Sequence, residues 1–197
     1  MDRLRATIFS LLILLFVICG NVNASSIELH GEHNSSTSYL MGIYSKQYKN
    51  HCSKVNTLTK KVVKLKDKHH LQYINMYDLL ETVNYIVAYE RKPFTSYYIT
   101  SFFIKESKLY SKALNKVDGG RGLGQLTGIS TLKQVPYVID PFNKSQGIRG
   151  SIDIMYLKYQ ECNNNFLKSI ERYNGAGIKA HKYMLSIQKI HNELINI

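Results

Sequence analysis

At 197 residues the chain suits one domain preceded by a leader, long enough to bury a real core. Its net charge of +12 favours a polyanionic partner: nucleic acid, anionic lipid or the carboxylate-rich bacterial wall. Nucleic acid is not the expected one, because there is no Trp and no ordered ladder of Lys or Arg with aromatics.

Residues 1–24 read as an export signal. Arg3 and Arg5 make a basic start, Ile8 to Cys19 is an apolar run, and Val22-Asn23-Ala24 offers small residues for cleavage. The run is too short for a stable membrane span. Ile18 is too bulky for the small residue that normally precedes a lipid-bearing cysteine, so attachment at Cys19 ranks below simple secretion to the periplasm or cell envelope. Loss of Asp2, Arg3 and Arg5 lowers the charge by one, to +11. In an exported protein the wall is the most accessible polyanion.

Residues 25–75 form a polar, basic N-terminal arm in this reading, with 25–60 rich in Ser, Asn, His and Lys and weakly periodic, hence loosely packed. His30, His33, His51, His69 and His70 lack a His-Glu-x-x-His frame and any Cys-x-x-Cys, so they read as surface histidines, not metal ligands. Cys52 and Cys162 are an even pair in an oxidising compartment. They suggest a disulfide closing a loop of roughly 110 residues, with two unrelated buried thiols as the alternative.

From Met76 the pattern turns helical. Leu79, Leu80, Val83, Ile86 and Val87 make one stripe, ended by Glu90-Arg91-Lys92 before Pro93. The next helix carries Ile99, Phe102 and Phe103 on one face, and Glu106 is the following position on that stripe. A carboxylate aimed into apolar surroundings finds a partner or keeps its proton to higher pH. An enzyme can obtain a proton donor for neutral pH in that way. The stripe alone favours the plainer reading, a Glu that swings to the boundary and is solvated. Further helices are expected over Gly147–Tyr159, Asn165–Arg172 and Lys179–Leu194, the last with Tyr183, Met184, Ile187, Ile190 and Leu194 on one side. With no alternating strands and no internal repeat, the fold class is mostly α.

Two glycine-bearing segments lie between these helices. Gly119-Gly120-Arg121-Gly122-Leu123-Gly124-Gln125 permits positive φ and close approach of a ligand. No strand precedes it and no Gly-Lys-Ser/Thr ending follows, which excludes dinucleotide and phosphate loops. Gln125 can both donate and accept, as a polar substrate requires. Arg172-Tyr173-Asn174-Gly175 breaks a helix, and Asn-Gly is itself a turn signal.

In this order, Glu106-Ser107, Gly122-Leu123-Gly124-Gln125 and Arg172-Tyr173-Asn174 resemble the soluble lytic transglycosylases of the lysozyme superfamily. That family carries Glu-Ser at a helix end, a Gly-Leu-Met-Gln turn and an Ala-Tyr-Asn stretch. Asp140-Pro141 and the helix after it also resemble the family's link between the last two motifs. The likeness spans roughly residues 76–178, with Gly124 in place of Met and Arg172 in place of Ala.

The resemblance implies a lysozyme-like helical domain over 76–197 with a catalytic cleft. It implies non-hydrolytic cleavage of peptidoglycan glycan strands between N-acetylmuramic acid and N-acetylglucosamine, without cofactor or metal. Glu106 would be the single acid and base. Ser107 would orient it, Tyr173 would hydrogen-bond it, and Gln125, Asn174, Gly122 and Leu123 would shape the sugar site. Two readings stand beside this one: a muramidase that uses a second acid, and an inactive wall-binding part of an envelope-spanning secretion, pilus or conjugation apparatus.

Overall fold

The computed structural model describes residues 35–71 and 74–197, with side chains from residue 45 onward except at 129 and 130. The export signal over 1–24, Cys19, His30 and His33 lie outside the described residues. Among these residues the elements are α1 (Ser35–Lys64), α2 (Met76–Tyr89), α3 (Ser96–Ser107), α4 (Gly128–Gln134), α5 (Lys144–Glu161), α6 (Phe166–Tyr173) and α7 (Gly177–Asn196). There is no strand among them, only isolated bridges such as Arg121 with Leu126. The expected mostly helical class holds. The chain divides into two units, Met1–Ile43 and Tyr44–Ile197. Of the first, only the helical start of α1 is described; the core belongs to the second.

Helix α3 is the centre of the second unit. Ile99, Phe102 and Phe103 are buried as their spacing requires, but Thr100, Ser101 and Ile104 are buried too. The helix is therefore enclosed on all sides, where a one-sided stripe was expected. Its hydroxyls make this tolerable by turning back on the helix: Thr100 Oγ1 donates to Ser96 O at 2.7 Å and Ser101 Oγ to Tyr97 O at 2.8 Å. α7 runs along α3 and buries Ala180, Tyr183, Met184, Ile187, Ile190 and Leu194, while α2 packs on α3 and α5, and α6 on α5 and α7.

Both ends of α3 are anchored. At the start, Thr95 Oγ1 accepts the Tyr98 N–H at 3.3 Å, and Glu90 Oε2 accepts the Ser96 N–H at 2.9 Å. At the finish, Lys108 and Leu109 both take left-handed backbone, with φ of 56° and 60°. Their N–H groups close on Ile104 O and Phe103 O at 3.2 Å each. The chain leaves the helix immediately after Ser107, so Glu106 sits in the last turn.

Two expectations need correction. The segment before Met76 is not a loose arm: Val55, Leu58 and Val62 of α1, with Leu65, Leu71 and Ile74, belong to the core. They recur every three or four residues, but the lysines between them hid the pattern. One of those lysines, Lys61, donates to Leu194 O and Ile195 O at 2.9 Å each, at the carbonyl end of α7. Another, Lys54, pairs with Glu90, the residue that holds the start of α3. The second correction concerns the disulfide. Cys52 and Cys162 are separate, half-buried thiols. Cys52 lies beside Tyr48 on α1, and Cys162 closes the end of α5. An even count of cysteines says nothing about the separation of their Cβ atoms.

Leu58 is fully buried, so Leu58→Ala is expected to cost about 2–5 kcal/mol, read as a lower urea midpoint at unchanged slope. A loosely attached arm would absorb the same change within about 0.5 kcal/mol.

Candidate active site

Glu106 is half-buried, and protein replaces most of the water around its carboxyl. That loss of solvation pushes its pKa up to about 7 from the ordinary 4.5. The Tyr183 hydroxyl donates to Oε1 and works in the opposite direction, as does the charge of Lys105, whereas Asp118 reinforces the rise. The result is a carboxyl close to half-protonated at neutral pH, able to give a proton and take one back. Tyr183 is buried on α7, and burial together with the Glu106 charge holds its own pKa far above the usual phenol value.

The glycine-rich turn is docked onto α3 and the start of α5. Leu123 is its buried anchor. Gly122 has φ of 71°, and a Cβ there would lie 2.1 Å from Pro141 O, so no other residue fits. Small hairpin bonds brace the turn: Gly122 N–H to Ala113 O at 2.9 Å and Leu126 N–H to Arg121 O at 3.0 Å. Gly122 and Leu123 are thus scaffold for the site rather than surface offered to a sugar.

The roles implied for single residues change. Tyr173 does not hydrogen-bond Glu106. Its hydroxyl donates to Gly124 O at 2.9 Å, with its ring edge-on to Phe102 at 4.8 Å between centroids. It remains close enough to feel the Glu106 charge, which with burial raises its pKa. The donor to Glu106 is Tyr183, a residue the sequence reading took for core because it lies on the apolar stripe of α7. The signal present was a hydroxyl on that stripe, which needs a partner once buried.

Ser107 is buried and turns its hydroxyl back to Phe103 O at 3.1 Å, so it secures the helix end instead of orienting the carboxyl. Gln125 spends its amide N–H groups on the turn itself, with Gly122 O at 2.9 Å and Ala113 O at 3.4 Å. Among the described residues its Oε1 has no hydrogen-bond partner. Asn174 is exposed, at the end of α6. The structure therefore gathers Glu106, Tyr183, Tyr173 and Gly124, and leaves Ser107, Gln125 and Asn174 without a direct bond to the carboxyl.

The largest surface cavity, about 560 Å³, lies elsewhere, between the end of α1 and α7 at Leu65, Leu185 and Ile197. A smaller polar one of about 240 Å³ is lined by Glu81, Tyr85, Ser111, Lys112 and the start of α5. Neither contains Glu106, and the chemistry of the carboxyl is the better guide to function here than cavity size. Among the described residues no three His, Cys, Asp or Glu side chains gather as a metal site would, and no helix is long and apolar enough to cross a membrane. His51 bonds Asn84 at 2.8 Å and His69 pairs with Glu193 at 2.7 Å. Comparison with protein-family models, curated proteins and solved structures found no match to this chain.

Two outcomes follow from the carboxyl. Tyr183→Phe removes the hydrogen bond that favours the ionised form, so the Glu106 pKa is expected to rise above about 7 in a ¹³C carboxyl titration by NMR. The second is a linkage. Between 4.5 and about 7 the folded protein holds a proton on Glu106 that the unfolded chain has released. The stability tied to that proton is complete below 4.5 and is lost as pH rises through 7. Glu106→Gln lacks this loss, so thermal melts should find it gaining on the wild type as pH rises from 4 to 8.

Proposed function

We propose that the chain is an exported lytic transglycosylase with a lysozyme-like helical domain, cleaving the β-1,4 bond between N-acetylmuramic acid and N-acetylglucosamine in peptidoglycan. The observation that carries the reading is a single partly enclosed carboxyl, Glu106, with a pKa of about 7 and a phenol donor on it. The order of Glu-Ser, Gly-Leu-Gly-Gln and Tyr-Asn along the chain supports it independently.

Protonated Glu106 donates to the glycosidic oxygen as the bond to the muramic C1 breaks. The substrate's own N-acetyl group stabilises the cationic centre, so no second carboxylate is required. Glu106, now ionised and stabilised by the Tyr183 hydroxyl, takes the proton from the muramic C6 hydroxyl. That oxygen closes on C1 to give the 1,6-anhydro ring. No water is consumed, and Glu106 ends in its starting protonation state. The positive charge of the chain suits a polyanionic wall, and export through the signal over 1–24 would bring the two together. Local wall opening for an envelope-spanning apparatus fits a small enzyme of this kind.

One observation favours a second reading, a muramidase. Asp118 is exposed on the turn within electrostatic reach of Glu106, with Oδ1 engaged by the Gly120 N–H at 2.9 Å. There it would activate a water.

Mass spectrometry of sugar products from purified peptidoglycan separates these readings. The expected products are anhydro-ended fragments, lost by about 10²–10⁴-fold in Glu106→Gln and retained in Asp118→Asn. Reducing-end fragments that vanish in Asp118→Asn would establish the hydrolase instead. Wall binding without any product from the wild type would leave the scaffold reading.

A further inference from the structure

Position 124 and position 151 compete for one volume. A Cβ built on Gly124 would lie 1.9 Å from Ser151 Oγ, 2.6 Å from Ser151 Cβ and 3.3 Å from Phe103 Cε1. Real atoms do not approach so closely, so the space a side chain at 124 would need is already filled from α5. Gly124 therefore opens no hole in the site, as its lack of a side chain first suggests. The wall has moved to another element. Ser151 is fully buried, and its Oγ donates to Gly147 O at 2.7 Å, one helical turn back. The same hydroxyl touches the Tyr173 phenol. That phenol donates its one proton to Gly124 O, although the Glu106 carboxyl is nearby and would be the stronger acceptor when ionised. Something keeps the Tyr173 hydroxyl on the carbonyl.

We propose that Ser151 is a positioning residue that takes the place of a side chain at 124, seats the Tyr173 hydroxyl on the Gly124 carbonyl, and so leaves Tyr183 as the one phenol on Glu106. Its bearing on catalysis rests on the reading of Glu106 as the acid. The groups that face Glu106 are Tyr183 from α7, Tyr173 from α6, Lys105 on its own helix and Asp118 on the turn. Of these, Tyr173 is the one whose proton is diverted to a backbone carbonyl. Without Ser151, Tyr173 is free to add a second hydrogen bond to the carboxylate, which favours ionisation. The acid would then be a poorer proton donor near neutral pH.

The test is a ¹³C titration of the Glu106 carboxyl in the full chain, which needs no substrate. Ser151→Ala keeps the Cβ and is expected to lower the midpoint by roughly half a unit or more. The double variant Ser151→Ala with Tyr173→Phe should titrate like Tyr173→Phe alone, because the competing phenol has gone. A midpoint unchanged in Ser151→Ala, or a fall that persists in the double variant, overturns the proposal.

Thermal unfolding tests the shared volume separately. Gly124→Ala should lower Tm by roughly 4–8 °C through overpacking. Adding Ser151→Gly should recover part of that loss, whereas strict additivity of the two changes overturns the reciprocal pair. Where glycan is cleaved, Ser151→Ala should lower kcat with KM little changed and move the alkaline limb of the pH profile to lower pH. A protein that releases no glycan product refutes the catalytic reading, while the titration and the melts still decide the role of Ser151.

Discussion

A carboxyl that keeps its proton to neutral pH must be held away from water, and it must be held there against its own preference for solvent. In this protein the holding is done by α3. Glu106 cannot swing outward to be solvated, because the helix is enclosed on all sides and the chain turns away one residue later. The enclosure has its own requirement: a helix of Thr, Ser, Phe and Ile can be surrounded only if its hydroxyls are satisfied internally, as those of Thr100, Ser101 and Ser107 are. The long α7 and the core half of α1 follow from the same need, since a helix buried all round has to be covered from several directions.

The two tyrosines divide the polar work around that carboxyl. Tyr183 gives its proton to Glu106, Tyr173 gives its proton to the backbone at Gly124, and Ser151 stands behind the second arrangement. A turn rich in glycine is needed because three structures crowd against it: the Pro141 carbonyl at Gly122, the Ser151 side chain at Gly124, and α3 beneath. Gln125 is drawn into the same bracing. Its uncommitted Oε1 would be available to a donor on a substrate, while its amide belongs to the fold.

The basic excess is partly structural. Lys54, Lys61, Lys68 and Lys144 are each engaged with carboxylates or helix-end carbonyls, and Lys144 joins α5 to Asp78 and Glu81 of α2. Surface pairs of this kind contribute little each, but they tie the termini of helices that form the core. The net charge available to a polyanionic wall is therefore carried mainly by the remaining lysines and arginines, which sit on exposed faces of α1, the turn and α7.

The helices from Met76 onward, the buried faces of α2 and α7, and Glu106 as the residue in conflict with its surroundings were all legible in the chain, because periodicity and an out-of-place charge are local properties. The helical start of the core was not, since lysines between Val55, Leu58 and Val62 masked a spacing that only contact with α3 and α7 makes decisive. Nor could local order tell which of two tyrosines would reach the carboxyl. Tyr173 and Tyr183 lie ten residues apart on consecutive helices, and the choice depends on how α6 and α7 are aimed at α3. The same holds for Cys52 and Cys162, whose separation is a distance in space, and for Gly124 and Ser151, which share a volume though they are distant in the chain. The sequence by itself determined what each element is and which residue carries the chemistry. Tertiary structure alone decided which side chains meet there, because hydrogen bonds and packing are set by distances that a residue order does not contain.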